Sequence, residues 1–368
     1  MMRASQLQDK LVSLGWSSHF SEQIRDEESH LVPMRVSADY GAACELLGPD
    51  GAVRAMMNRK LLYAAQEDEL ARPAAGDWVL AQLLDGSDQV RVVRVLARRS
   101  AVMRQAAGDR TLAQIVGANL DALWIVSSMN REFHPRRLER YLVLARDAGI
   151  APVIVLTKAD AAEDAVGYVA QAMSVAGDVP VYAVSAVAGE GLGALEAELE
   201  PGKTVALIGS SGVGKSTLAN WLLGEQRMAV REIRGSDDEG RHTTTVRHLL
   251  VLPRERGLLL DTPGIRELQL REGAMDGAFD DIERLAARCR FADCGHTNEP
   301  GCVVLGAIAA GQLDERRLAN YKKLGRELDY QARRQDERAS MLEQQRIKRI
   351  HKERSRGARQ VLARKGQW

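Results

Sequence analysis

No apolar run in this chain reaches the roughly 20 residues needed to cross a bilayer. The opening MMRASQLQDKLVSLGW lacks the apolar core of a signal peptide. With 45% apolar and 27% charged residues, the chain reads as a soluble globular protein, and we expect it in the cytoplasm, away from membranes. Net charge is nearly absent too, at +1, but the balance hides an asymmetry. Residues 331–368 hold 12 Lys/Arg against 4 Asp/Glu, and the remainder holds 39 against 46. A basic tail on an acidic body suits a polyanionic partner; a solvated helix would need the same charge only for solubility. Cysteine is scarce, with four residues. Cys289, Cys294 and Cys302 crowd into fourteen positions around His296, while Cys44 stands far away. In a cytosolic chain such clustering points to metal before disulfide, and Cys44 reads as a small buried hydrophobe.

The 368 residues suffice for two or three domains. Residues 1 to about 30 are polar and mixed, and predict a short helix or a mobile arm. From about 33 to 105 the texture is β. MRVSADY, AACELL, AVRAMM, DWVLAQLL and QVRVVRVLA are short strand-like runs broken by GPDG and DGSD. Five short strands suggest a small barrel, with an OB-fold ahead of an SH3-like alternative. After Leu120 the pattern changes to strands (DALWIVSS, APVIVLT, VPVYAVSA, KTVALIG, VRHLLVLP, GLLLD) alternating with helices. Such alternation predicts a largely parallel sheet covered by helices on both faces.

GSSGVGKS fills G-x-x-x-x-G-K-[ST] in full, between an apolar strand and a helix, the context a phosphate loop requires. Gly209, Ser210, Ser211, Gly212, Val213 and Gly214 would curl their N–H groups around phosphate oxygens at a helix N-terminus. Lys215 would neutralise the β- and γ-phosphates, Ser216 would ligate Mg²⁺, and Thr217 continues the helix start. Asp261, in DTPG at the end of the last strand, would reach Mg²⁺, and the Gly264 amide would sense the γ-phosphate. Alone, DTPG is an ordinary strand exit, but it lies about 45 residues beyond a phosphate-loop serine. Thr157-Lys158-Ala159-Asp160 can read guanine: the Asp160 carboxylate accepts from N1–H and the N2 amino group, and the Lys158 stem can lie along the base. Ser185 and Ala186, past the next strand, would offer a backbone N–H to the guanine O6. As isolated strings both are weak. Both fall at the C-terminal ends of predicted parallel strands, where α/β sheets bind ligands.

These parts come in the order guanine, guanine, phosphate, switch, Mg²⁺, the order of a GTPase whose chain has been circularly permuted. Termini that lie close together make such rewiring tolerable. At this point the chain resembles the circularly permuted, ribosome small-subunit-dependent GTPases of the RsgA family, over nearly its whole length. The resemblance implies a multidomain protein: an N-terminal OB-fold β-barrel, a central α/β P-loop GTPase domain in permuted order, and a C-terminal, mainly helical zinc-binding domain. We place an N-terminal extension at 1–32, the barrel at 33–108, the GTPase domain at 109–275, the zinc domain at 276–335 and a basic tail at 336–368.

The segment GRHTTT, 240–245, occupies the place of the first switch, where Thr244 or Thr245 should close over Mg²⁺ and the γ-phosphate. Ile265 follows DTPG where many GTPases carry a water-orienting glutamine. In the family a switch histidine is given that role, and His242 occupies the matching place; RNA contact is the alternative for it. Thr157 replaces the commoner Asn of the guanine motif, which could soften guanine affinity. Cys289-x₄-Cys294-x-His296-x₅-Cys302 suits a closed, structural, tetrahedral Zn²⁺ site. Candidate RNA contacts are Arg98, Arg99 and Arg104, with Arg333, Arg334, Arg346, Lys348, Arg349 and Lys352 in the tail.

The expected activity is Mg²⁺-dependent hydrolysis of GTP to GDP, stimulated by the small ribosomal subunit and used in its late maturation. The implied partners are that subunit and its rRNA, with the protein a monomer off the ribosome. An RNA-binding module switched by nucleotide occupancy, with hydrolysis incidental, is the second reading. A small-molecule kinase is disfavoured because it has no need to read guanine.

Overall fold

The computed structural model describes residues 4–84, 89–105, 113–225, 247–261, 279–330 and 333. Packing divides the chain into two compact units, Met1–Gln269 and Leu270–Trp368. Among the described residues no helix is long and apolar enough to cross a membrane.

The first unit opens with α1 (Ala4–Ser13) and α2 (Ser18–Ser21), then a single 3₁₀ turn at Asp26–Glu28. This polar segment is docked, not a free arm. Phe20 is fully buried, Trp16 stacks on it at 5.7 Å and meets Trp78 edge-on at 4.7 Å. Glu28 is forked by Arg94 at 2.6 and 2.7 Å, which holds the Glu28 carboxyl below its usual range. The sparse apolar residues of the segment are the ones that pack.

Five strands follow: β1 (Val32–Asp39), β2 (Ala43–Gly48), β3 (Gly51–Met57), β4 (Trp78–Leu83) and β5 (Val90–Val95), with α3 (Arg59–Glu67) between β3 and β4. They close into a barrel in the order β1-β2-β3-β5-β4. β1 pairs with β4, and β3 pairs with β5 in parallel. This is OB-type topology. Alternate residues fill the interior, among them Met34, Val36, Leu46, Ala55, Val79, Ala81 and Val92. Cys44 belongs to this core, and burial pushes its thiol up to about 12.

On the other face of β1, Arg35 is buried at 1% exposure. It donates to the Leu14 carbonyl, to Gly76 O at 3.2 Å and to Asn119 O at 3.1 Å, and lies 5.8 Å over the Trp78 ring. Desolvation brings its pKa down to about 10. One side chain thus ties the N-terminal helices, the barrel and the entrance to the next domain. Replacing it with Met should leave the Leu14 and Asn119 carbonyls short of a donor, while Gly76 O keeps the Asn119 amide at 3.0 Å, and cost about 3 kcal/mol, read as a lower thermal midpoint. Arg35→Lys should not rescue, because an ammonium lacks the planar fork.

A hairpin of β6 (Ala101–Gln105) and β7 (Ala113–Ala118) leads out of the barrel. The boundary expected at 108/109 falls between its two strands. Gly76 and Gly117 permit its close seating: a Cβ at Gly76 would lie 2.1 Å from Ala118 O, and one at Gly117 would lie 2.1 Å from the Leu260 side chain.

The nucleotide domain then runs β8 (Ala122–Ser128), α4 (Pro135–Asp147), β9 (Ala151–Thr157), α5 (Ala165–Ala176), β10 (Val181–Ala183), α6 (Leu192–Glu196), β11 (Thr204–Ile208), α7 (Lys215–Leu223), β12 (His248–Val251) and β13 (Leu258–Asp261). Spatial order is β10-β9-β8-β11-β13-β12. All neighbours are parallel except β12, which runs antiparallel to β13. Trp124, Val126, Val153, Val155, Val205, Leu207 and Leu259 pack one face against Leu192 and Leu195 of α6 and Leu218 and Leu222 of α7. The alternate set, including Ile125, Ile154 and Ile208, is equally buried, and α4 and α5 lie against β8 and β9. Burial on both faces explains the uninterrupted apolar strands. β11, fourth of these strands in the chain, sits between β8 and β13.

The second unit carries α8 (Asp280–Ala286) and α9 (Val303–Ala309), and residues 315–330 are helical. Phe279 is its fully buried centre, edge-on to Tyr321 at 5.4 Å and covered by Arg317 at 4.9 Å. Arg317 also forks Asp281 at 2.6 and 2.8 Å.

Candidate nucleotide site and Cys/His cluster

β11 ends at Ile208 and α7 begins at Lys215, so the intervening residues, from Gly209 on, form the strand-to-helix loop anticipated from GSSGVGKS. Three glycines make its path possible. Gly212 and Gly214 hold φ +78° and +95°, and a Cβ at Gly209 would come within 2.2 Å of Val126 O. Lys215 Nζ arches over the loop to Gly209 O at 2.9 Å and Ser210 O at 2.6 Å. Ser216 and Thr217 occupy the first turn of α7.

TKAD lies at the end of β9, and two of its side chains grip this loop. The Thr157 hydroxyl donates to Val213 O at 2.5 Å. Ser127 O is also near, at 3.3 Å, but one O–H serves one acceptor and the shorter contact prevails. Lys158 Nζ donates to Gly212 O at 2.8 Å from a left-handed backbone, φ +62°, a strain of roughly 1 kcal/mol or more for a non-glycine residue. The guanine reading uses the Lys158 stem; its ammonium, like the Thr157 hydroxyl, is a clamp on a loop carbonyl. A threonine hydroxyl is long enough for that task. Thr157→Val should strip Val213 O of its buried donor and cost about 1–2 kcal/mol, a loss of roughly tenfold in nucleotide affinity, while Thr157→Asn should retain binding. Nucleotide titration of the two variants checks this.

Asp160 is exposed, in the 3₁₀ turn Ala159–Ala161. That turn is tied to the end of β10 by Ala159 N–H donating to Val184 O at 3.2 Å. Ser185 is buried; its hydroxyl accepts from Ala188 N–H at 2.9 Å and its own N–H donates to Glu190 O at 3.0 Å. The serine therefore builds the turn, with the half-buried Ala186 beside it. Asp261 ends β13 opposite His248 of β12. Burial raises its pKa and His248 lowers it, with a net upward shift. His248 in turn meets the Tyr40 ring of the barrel at 6.3 Å, and the Ser37 hydroxyl sits 3.3 Å from Leu249 O. His242, Thr244, Thr245 and Gly264 lie outside the described residues.

In the second unit Cys289, Cys294, His296 and Cys302 offer ligand atoms all within 4.8 Å of one another. Cys289 Sγ lies 3.9 Å from Cys302 Sγ, and His296 Nδ1 lies 3.4 Å from Cys302 Sγ and 3.8 Å from Cys289 Sγ. A tetrahedral ion with metal–sulfur bonds near 2.3 Å would set its sulfurs about 3.8 Å apart. His296 holds φ +53° in a loop cinched by Glu299. The Thr297, Asn298 and Gly295 amides donate to that carboxylate at 2.7–3.0 Å, pulling it down to about 2. Neither Glu299 nor the Lys322 bond to His296 O, 2.7 Å, was legible in the ligand spacing.

Two expected RNA contacts are occupied internally. Arg98 forks the buried Asp77 at 2.7 and 2.8 Å and donates to Leu70 O and Arg72 O. Arg99 pairs with Asp121 at 2.6 Å. Arg333 donates to Asp329 O at 3.2 Å. Arg334, Arg346, Lys348, Arg349 and Lys352, with the whole tail 336–368, lie outside the described residues, as does the side chain of Arg104.

The strand order, the loop before α7 and the guanine-type turn after β9 define a P-loop GTPase domain whose motifs run in permuted order. The RsgA GTPase family model matches residues 95–271. A relative from Opitutus terrae, named small ribosomal subunit biogenesis GTPase RsgA, is 42% identical over 93% of this chain and 96% of its own length. The chain belongs to this family. The structure of YjeQ from Thermotoga maritima matches with TM-score 0.61 at 25% identity, over 81% of this chain and 98% of that one. YloQ, described as a circularly permuted GTPase, matches in fold with TM-score 0.58 at 22% identity, over 84% and 98%. An ABC transporter family model matches residues 192–363. That stretch contains the phosphate loop, but residues 157–160 and 185–186 lie outside it.

Proposed function

We propose that this protein hydrolyses GTP to GDP and phosphate, stimulated by the small ribosomal subunit, in the maturation of that subunit and in contact with its rRNA. The observation that carries the nucleotide reading is the double clamp of Thr157 and Lys158 on Val213 O and Gly212 O. It makes the base-reading turn and the phosphate loop one rigid object, so that guanine and polyphosphate are recognised together. The names of the relatives support the ribosomal partner.

In this mechanism Asp160 and the Ala186 amide select guanine, and inward N–H groups of the loop with Lys215 hold the phosphates. Water attacks the γ-phosphorus directly, and the bond to the β–γ bridging oxygen breaks, with no covalent intermediate. Ser216, Asp261 and Thr244 or Thr245 would hold Mg²⁺, which would supply positive charge against the phosphates. The half-buried Asp261 carboxylate, made costly to ionise by burial, suits a cation neighbour. Gly264 senses the γ-phosphate and His242 orients the water, so turnover stays slow until the subunit orders the switch. Zn²⁺ fits the Cys289, Cys294, His296 and Cys302 cluster as a structural ion, because four protein ligands leave no position for water. The protein acts in the cytoplasm, a monomer off the ribosome.

The test measures GTP and ATP turnover with and without purified small subunits. Stimulated turnover of GTP alone supports the proposal. Absence of stimulation favours an RNA-binding module for which hydrolysis is incidental. His242→Ala should abolish most of the stimulated rate without weakening nucleotide binding; an unchanged rate removes it from the mechanism.

A further inference from the structure

Arg137 belongs to none of the motifs described above, yet its guanidinium reaches the phosphate loop. It sits in the first turn of α4, which Pro135 starts at its first position. Its N–H donates to His134 O at 2.9 Å. Leu138, Tyr141 and Leu142 anchor the helix beneath it. The backbone that launches the side chain is therefore fixed. Arg136 beside it is exposed, whereas Arg137 is half-buried and donates through Nη1 to the Ser210 hydroxyl.

Ser210 thus receives two cations, Lys215 on its carbonyl at 2.6 Å and Arg137 on its hydroxyl. A third, Lys158, holds Gly212 O of the same loop. Among the described residues neither Arg137 nor Lys158 has a carboxylate partner. A guanidinium stays ionised at any physiological pH, so the convergence stores repulsion that a polyanion relieves. GTP brings more negative charge to this loop than GDP does, and the same field rewards it more.

We propose that Arg137 is a positioning residue of the triphosphate site: by gripping the Ser210 hydroxyl it sets the first turn of the loop beneath Lys215, and its unneutralised charge makes the loop favour GTP over GDP. This rests on the guanine-nucleotide reading above. A serine at 210 is then required as the handle, since glycine or alanine would offer the arginine nothing to hold.

The experiment compares full-length wild type, Arg137→Ala, Arg137→Lys and Ser210→Ala. Each is titrated with fluorescent GDP and a fluorescent non-hydrolysable GTP analogue, and thermal melting is recorded without nucleotide. Arg137→Ala should weaken the analogue roughly tenfold and GDP less than about threefold, the size expected of one partly screened charge. Arg137→Lys should recover part of the analogue's loss, Ser210→Ala should fall in the same direction, and melting should not move. Equal weakening of both nucleotides, or no weakening of either, overturns the proposal. Wild type binding neither guanine nucleotide would overturn the guanine-nucleotide reading itself, and the proposal with it.

Discussion

Replacing Asp160 with Asn should abolish guanine-nucleotide binding and transfer the preference to xanthine nucleotides. An ionised carboxylate accepts two hydrogen bonds and donates none, the complement of the guanine N1–H and N2 amino pair. An asparagine in its place presents one acceptor and one donor, so its amide N–H is aimed at a donor of the base. Two charge-assisted hydrogen bonds, each about 1.5–3 kcal/mol, are lost or inverted. The expected loss for GTP is roughly 10³-fold. Xanthine keeps N1–H but carries an oxygen at C2, which matches the amide. The turn itself should survive, because its ties to the rest of the fold are the Ala159 bond to Val184 O and the Thr157 and Lys158 clamps. Titration with GTP and XTP checks the exchange, and unchanged GTP affinity would mean that Asp160 does not read the base.

Loss of the metal ligands should be the largest stability effect in the second unit. Cys302 has two roles: it closes the Cys/His cluster, and its sulfur accepts from Leu305 N–H at 3.5 Å at the N-terminus of α9. Within this unit the described core is small, centred on Phe279, Ile282 and Val304. Zinc bound by such a set contributes about 10 kcal/mol or more at neutral pH, comparable with the whole stability of an ordinary domain. Cys302→Ala should therefore abolish zinc binding and unfold residues 289–310. Native mass spectrometry should find one zinc per wild-type chain and none in the variant. Hydrogen exchange should accelerate across that loop while the first unit keeps its protection. Chelation at neutral pH should reproduce both changes, and a protected, zinc-free wild type would contradict the assignment.

The strands of barrel and sheet were legible because their signals are local. Short strand-like runs broken by GPDG and DGSD marked β1 to β5, and the apolar runs of β8, β9 and β11 announced strands buried on both sides. The phosphate loop is a contiguous string whose glycines each answer a backbone need. Less was legible where polar side chains choose distant partners. The first thirty residues read as a short helix or a mobile arm because few are apolar; they form helices, and Trp16 and Phe20 find Trp78 some sixty residues on. Arg98 and Arg99 read as candidate RNA contacts because nothing in the sequence placed Asp77 and Asp121 against them.

TKAD carries both halves of this lesson. The sequence by itself determined the reading head and, through its place ahead of the phosphate loop, the permuted order, since both depend on residue type and succession alone. Only the tertiary structure decided what Thr157 and Lys158 do, because their acceptors lie 56 and 54 positions away, and the partner of Arg137 lies 73 positions away. A hydrogen bond depends on where two groups meet in space, and that meeting is set by how β8, β9 and β11 lie side by side.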